Sequence, residues 1–226
     1  MKPLTEVHLA ILRRHMVEVI EIEYDLTSQE TGLDVINSRL RDALLRIPRH
    51  RFVPDPLASM AYNDQPLPIG FEKTISQPFM SALMIDLLDL RPGDRVLEVG
   101  TGLGYQTALL SSLAAKVWSV DVVEEFAVTA ADRLGTLGLG NITLRVGDGS
   151  RGWSDEAPFD AILVSAAARD FPDALIGQLA PSGRMVLPLR RSDGRQHLAR
   201  IVRSGEDEVT VDEIMAVQFT DLETVI

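Results

Sequence analysis

Apolar positions change their period several times along the chain, and these changes predict its elements. Across residues 4–24, Leu9, Leu12, Met16, Val19 and Ile20 recur at helical spacing and share one face. A second helix is predicted from near Thr31, because Thr31 and Asp34 have capping-box spacing. Leu33, Ile36, Leu40, Leu44 and Ile47 form its stripe, and Pro48 ends it. From Arg49 to Pro68 no period is visible, so the prolines and Asn63-Asp64 predict an irregular loop. A long loop in a compact domain is often a substrate-binding loop. Pro78 suits the first turn of a helix through Leu90, with Ser76 or Gln77 at its cap. Beyond that point short apolar runs alternate with helical patterns. Strands are predicted at residues 95–99, 116–121, 141–146, 159–167 and 184–188, and helices at 105–115, 123–137 and 171–179. Near-continuous apolar strands between helices indicate an α/β architecture, a mostly parallel sheet covered on both faces. Residues 197–203 and 209–219 predict strands that pair at one edge. The organisation expected is an N-terminal helical and substrate-loop region, residues 1–90, packed on a core of residues 91–226 within one structural domain.

Composition narrows the function classes. At 226 residues, 46% hydrophobic and 24% charged, the chain has the makeup of an ordinary soluble globular domain. No apolar run approaches the roughly 18 residues that span a bilayer, and the N-terminus lacks a signal-peptide pattern. A cytoplasmic protein without a membrane partner is expected. With 0 cysteines, disulfides, thiolate metal sites and cysteine nucleophiles are excluded. The 4 histidines lack metal-ligand spacing, so no metal is expected, and His8 and His15 read as surface residues of the first helix. A net charge of −11 repels phosphate backbones and argues against nucleic acid. Arg190, Arg191 and Arg195, the one basic cluster, read as a solvated hairpin loop. A monomer is expected.

The candidate chemistry centres on the stretch from Arg95 to Gln106. Gly100, Gly102 and Gly104 allow a tight turn from strand to helix, where a β-carbon would block a ligand from the backbone. The helix start adds unpaired N–H groups and a positive dipole end. A dinucleotide site requires G-x-G-x-x-G, and Tyr105 occupies the sixth position, so that reading fails. Asp121 ends the next strand, where an acid can accept from both hydroxyls of a ribose or cap the following helix. Glu98 either supports the same pocket or braces the glycine turn. Asp148, between Gly147 and Gly149, either accepts from an adenine amino group or forms a plain turn. Ser76 either caps its helix or faces a bound anion together with adjacent N–H groups.

A strand ending in Glu98-Val-Gly-Thr-Gly-Leu-Gly104 resembles the S-adenosylmethionine loop of Rossmann-like methyltransferases. From Arg49 onward the chain resembles the protein-L-isoaspartate (D-aspartate) O-methyltransferase family more specifically. The resemblance is carried by Pro48-Arg-His-Arg-Phe-Val-Pro54, Ala61-Tyr62, Leu67-Pro-Ile-Gly70, Thr74-Ile-Ser-Gln-Pro78, residues 97–106, Gly147-Asp-Gly149 and Gly152-Trp153. The Thr-Ile-Ser-Gln-Pro block is the most specific part. The resemblance implies a Rossmann-like S-adenosylmethionine-dependent methyltransferase fold, with S-adenosyl-L-homocysteine as product. It implies methyl transfer to the α-carboxylate of L-isoaspartyl residues in damaged proteins, which starts repair through a succinimide, with D-aspartyl residues as further candidate substrates. It places Ser76 at the catalytic centre, with Thr74 and Ile75 bordering the donor. Donor-binding residues are then expected at Glu98, Gly100, Thr101, Gly102, Gly104, Asp121, Val122, Gly147, Asp148 and Gly149. Two departures stand out: Glu72-Lys73 where many members have Gly-Gln, and the tail of residues 219–226. A carboxylate methyltransferase specialised for one peptide or natural product, an enzyme acting on tRNA, and a non-catalytic donor-binding module remain the alternatives.

Overall fold

The computed structural model describes residues 5–205 and 208–224. Helix α1 (Glu6–Thr31) opens with a true capping box, in which Thr5 accepts from the His8 N–H and His8 reaches back to Thr5. Residue 4, expected in this helix, lies outside the described residues. The helix runs a full turn and more past Tyr24 and ends where Gly32 adopts φ 71°. Thr31 is therefore its last residue and not the start of a second helix. Helix α2 (Ser38–Arg46) begins later, with Asn37 accepting from the Arg39 N–H. Two short 3₁₀ turns, Arg49–Phe52 and Asp55–Met60, follow within the expected loop.

The loop then ends in a hairpin that the pattern did not predict: β1 (Leu67–Gly70) and β2 (Lys73–Ile75). Its turn residues, Phe71 (φ 49°) and Glu72 (φ 56°), both lie in the left-handed region usually taken by Asn-Gly. Helix α3 (Pro78–Asp86) comes next, shorter than expected. The remaining elements are β3 (Arg95–Val99), α4 (Tyr105–Ser111), β4 (Lys116–Asp121), α5 (Glu124–Thr136), β5 (Ile142–Val146), β6 (Phe159–Val164), α6 (Asp173–Ile176), β7 (Leu179–Arg190), β8 (Gln196–Arg203) and β9 (Val209–Val217). The expected turn at residues 181–183 is absorbed into β7, which pairs with β6 through a register shift.

The seven-stranded sheet has the order β5-β4-β3-β6-β7-β8-β9. Strands β3 to β7 run parallel, while β8 and β9 pair antiparallel at the edge, as the pattern predicts. This is a Rossmann-like α/β fold. The strand order reverses between β3 and β6, so a crevice opens at their carboxyl ends, where such sheets bind ligands. Both faces of the central strands are buried: Val96, Val117 and Leu163 pack with α1 to α4, and Leu97, Trp118 and Ile162 pack on the other side.

The N-terminal region shares the first of these apolar clusters, which joins Met16, Ile20, Leu44 and Phe52 to Leu83, Tyr105 and Leu109. Polar ties reinforce the join. Asp86 Oδ2 accepts from the Tyr24 hydroxyl and the Asn37 N–H, each at 3.0 Å, fastening α1 and the start of α2 to α3. Arg190, Arg191 and Arg195 pair with Asp221, Glu213 and Asp193 around the turn between β7 and β8.

Candidate active site

A cavity of about 830 Å³, part of it open to solvent, lies at the carboxyl ends of β3, β4 and β6. Gly100, Thr101 and Gly102 form its floor, and Asp121, Val122 and Phe126 one wall. Thr74, Ile75 and Ser76 line the opposite side, with Gly149 and Ser165 beneath. The turn is glycine-rich for steric as well as conformational reasons. Gly100 has φ 96°, and a β-carbon there would meet Ser165 Cβ at 3.3 Å. Gly149 is tighter still, because a β-carbon would sit 2.4 Å from Val99 Cγ1.

Asp121 is held by its own neighbourhood. Oδ2 accepts from the Gly102 N–H at 2.7 Å and Oδ1 from the Val123 N–H at 2.9 Å. Burial raises its pKa, while these two N–H groups and nearby Lys73 favour the charged form. The carboxylate thus ties the glycine turn to the end of β4 and keeps lone pairs facing the cavity. Asp121→Asn is expected to weaken donor binding at least tenfold, about 1.4 kcal/mol, because an amide cannot accept at both ends. Isothermal calorimetry with S-adenosyl-L-homocysteine checks this; an unchanged Kd would remove Asp121 from the site.

Four expected donor residues stand outside the lining. Glu98 is fully buried and does not line the cavity. Its Oε2 accepts from Thr107 Oγ1 at 2.5 Å and Ser119 Oγ at 2.6 Å, and Ser119 in turn bonds Thr101 at 2.6 Å. It therefore braces the glycine turn. Asp148 accepts from the Ser150 N–H and hydroxyl, at 3.0 and 2.6 Å, and lies 3.6 Å from Arg151. Asp148 and Gly147 lie outside the cavity lining, whereas Gly149 beside them is within it. Gly104 sits just behind the lining, packed against Ala130.

A groove adjoins this cavity, lined by Glu23, Pro66, Gln77, Phe79, Met80 and residues 215–220. Thr74, Ser76, Ser165 and Thr220 belong to both spaces. Ser76 thus stands in the wall between them and does not cap α3. The cap comes from the irregular loop instead: Asp64 accepts from the Phe79 N–H at 2.9 Å and from Gln77 Nε2 at 2.6 Å. That N–H is accordingly unavailable to a bound anion. Ser76 is fixed from behind, since its carbonyl accepts from Arg49 Nη2 at 2.6 Å.

The tail closes one end of the cavity. The Ala167 N–H donates to the Thr220 carbonyl, and the Leu222 N–H to the Ala167 carbonyl, so Thr220, Asp221, Leu222 and Glu223 run along the rim. Asp221 pairs with Arg169 and Arg190. Lys73, at the hairpin, meets Glu223 at 2.5 Å. The two departures at Lys73 and the tail are thus one contact. Residues 225–226 of the expected tail lie outside the described residues. Sequence reading missed Ser165, Gln106 and Thr220 as lining residues; of these only Ser165 carried a signal, its place at the carboxyl end of a central strand.

The family model for protein-L-isoaspartate(D-aspartate) O-methyltransferase matches residues 23–224. The chain belongs to this family. It is 44% identical over 220 residues to protein-L-isoaspartate O-methyltransferase 1 of Polaromonas sp. strain JS666, covering 97% of this chain and 93% of that relative. A solved protein-L-isoaspartate O-methyltransferase superposes with a TM-score of 0.79 at 25% identity, over 92% of this chain and 65% of the other. A Plasmodium falciparum structure assigned to the same methyltransferases, in complex with S-adenosyl-L-homocysteine, superposes with a TM-score of 0.74 at 23% identity, over 91% and 98%. Among the described residues no cluster of side chains could hold a metal ion, and no helix is long and apolar enough to cross a membrane.

Proposed function

We infer that this protein transfers a methyl group from S-adenosylmethionine to the α-carboxylate of L-isoaspartyl residues in damaged proteins. The observation that carries the reading is the wall shared by the cavity and the groove, with Ser76 in it. The cavity suits the donor: a bare glycine turn, a carboxylate for ribose hydroxyls at Asp121, and apolar sides from Ile69, Leu103 and Phe126. Gln106 Nε2, buried without a partner among the described residues, offers a further donor at the lining. The groove beside it has the open shape an extended peptide needs.

S-adenosylmethionine supplies an electrophilic methyl on a sulfonium. An isoaspartyl α-carboxyl, with a pKa of roughly 3.5, is already ionised near neutral pH, so no general base is required. The protein's work is then positioning and exclusion of water. Ser76 orients the carboxylate from the dividing wall, Asp121 anchors the donor, and the tail and hairpin shield the reacting atoms. The backbone nitrogen that follows the modified residue then attacks the ester carbonyl without further catalysis, giving up its proton and expelling methanol as the succinimide ring closes. Asp148 contributes to donor binding through the turn that presents Gly149. The −11 charge favours a protein substrate over nucleic acid, and a cysteine-free chain with bacterial relatives fits cytoplasmic residence.

The test is transfer of labelled methyl to matched peptides containing isoaspartate or ordinary aspartate. Base-labile label on the isoaspartyl peptide alone is expected. Donor binding without label on either peptide would overturn the repair reading. Ser76→Ala is expected to lower kcat about 10- to 100-fold, roughly 1.4–2.7 kcal/mol, with donor Kd within twofold. Unchanged turnover would remove Ser76 from the mechanism.

A further inference from the structure

Helix α1 buries one face and leaves the other with large apolar side chains in water. Met16, Val17, Ile20 and Tyr24 face the core. Val7, Ile11, Ile22 and Leu26 are 69%, 58%, 58% and 72% exposed. With His15 and Glu18 they form one stripe about 100° wide, since each residue advances roughly 100° around the axis. Four exposed large apolar residues aligned on one helix mark a contact surface more than scattered surface residues do.

The order of residues along the stripe is self-complementary. Val7 and Leu26, Ile11 and Ile22, and His15 and Glu18 all share one mid-point, between Met16 and Val17. Two copies of α1 laid antiparallel about a two-fold axis at that point set Val7 against Leu26 of the second copy and Ile11 against its Ile22. His15 then meets Glu18 of the second copy, twice. His8 and Asp25, both exposed, share the same mid-point and flank the seam. This is the arrangement an isologous interface demands. His15 and Glu18 are 70% and 58% exposed and only 3.6 Å apart within one helix, so both remain available to a partner. An anionic membrane surface fits poorly, because α1 carries six acidic residues against two arginines.

We propose that the protein forms a homodimer through antiparallel pairing of α1, in place of the monomer expected from sequence. The stripe is about 30 Å long, which makes a small interface and a dimer that dissociates on dilution.

Sedimentation velocity on the full chain, up to about 500 µM, is expected to show mass rising from monomer to dimer. The double variant Ile11→Glu/Ile22→Glu is expected to stay monomeric with an unchanged melting curve, because both positions are on the surface. The absence of native cysteine permits a test of register. A mixture of Ile11→Cys and Ile22→Cys chains is expected to form a disulfide-linked dimer. Ile11→Cys alone is not, since its two copies would lie about 16 Å apart along the axis. A wild-type monomer at every concentration, self-association untouched by the double glutamate variant, or equal cross-linking of Ile11→Cys with itself would each overturn the proposal. Donor binding and methyl transfer are read separately, so the dimer can fail while the enzymatic reading stands.

Discussion

Between pH 5 and pH 8 the wild-type protein is expected to lose stability relative to its Glu98→Gln variant, by on the order of 4 kcal/mol. Burial pushes the Glu98 carboxyl up to about 8, partly offset by hydrogen bonds from Ser119 and Thr107, while Asp121 adds repulsion. The sign follows from where the proton sits. In the unfolded chain the carboxyl releases its proton near the ordinary value of 4.5, whereas the folded protein retains it to about 8. Within that window the folded state binds more protons, so each unit of pH costs up to about 1.4 kcal/mol. The contribution is complete below pH 4.5, is lost through pH 8, and levels off above. Glutamine keeps an oxygen for Thr107 and Ser119 and has no proton to lose. Asp86 and Asp121, also raised by burial, titrate in both proteins and cancel in the comparison. Urea denaturation at unit intervals from pH 5 to 9 is the measurement. Parallel curves for the two proteins would show that Glu98 ionises normally in the folded state.

Glu98 also illustrates what the sequence made legible. Its position near the end of an apolar strand and before three glycines signalled a bound ligand, yet two readings of the side chain remained. Choosing between them required knowing that Ser119 and Thr107, from β4 and α4, converge on one oxygen. Strands β3 and β4 were readable to the residue, because continuous apolar runs flanked by charge and glycine leave little freedom. The edge pair β8 and β9 followed from similar patterning. The Thr31 cap failed for a physical reason: the Thr-x-x-Asp spacing is local, and Gly32 terminates the preceding helix at that very place. Hairpin β1–β2 was hidden because Phe71 and Glu72 occupy left-handed conformations without a glycine or asparagine to announce them. Asp64, the real cap of α3, lies 15 residues from the N–H it accepts, beyond any local rule. The same holds for Lys73 and Glu223, 150 residues apart, which make two departures from the family pattern into a single contact.

Arg49→Met is expected to destabilise the protein by roughly 3 kcal/mol and to reduce kcat more than tenfold at saturating substrates. Arg49 is fully buried, and burial pulls its guanidinium down to about 10, so it stays charged at neutral pH. Nε donates to the Ala61 carbonyl at 2.8 Å and Nη2 to the Ser76 carbonyl at 2.6 Å. The guanidinium carbon lies 4.8 Å from the centre of the Tyr105 ring, at the start of α4. One side chain therefore spans the irregular loop, the Ser76 backbone and the helix that follows the glycine turn. Methionine fills much of the volume but leaves two carbonyls without donors, each costing about 1–3 kcal/mol when buried. The catalytic loss follows from position, because a shift of Ser76 by about 1 Å is enough to spoil the approach of the two reacting groups. Arg49 does not line the donor cavity, so donor Kd should stay within about twofold while kcat falls. Arg49→Lys keeps the charge but lacks the fork that reaches both carbonyls, and is expected to be intermediate in both stability and kcat. Folded Arg49→Met or Arg49→Lys protein with wild-type kcat would show that Ser76 is held in place without this arginine.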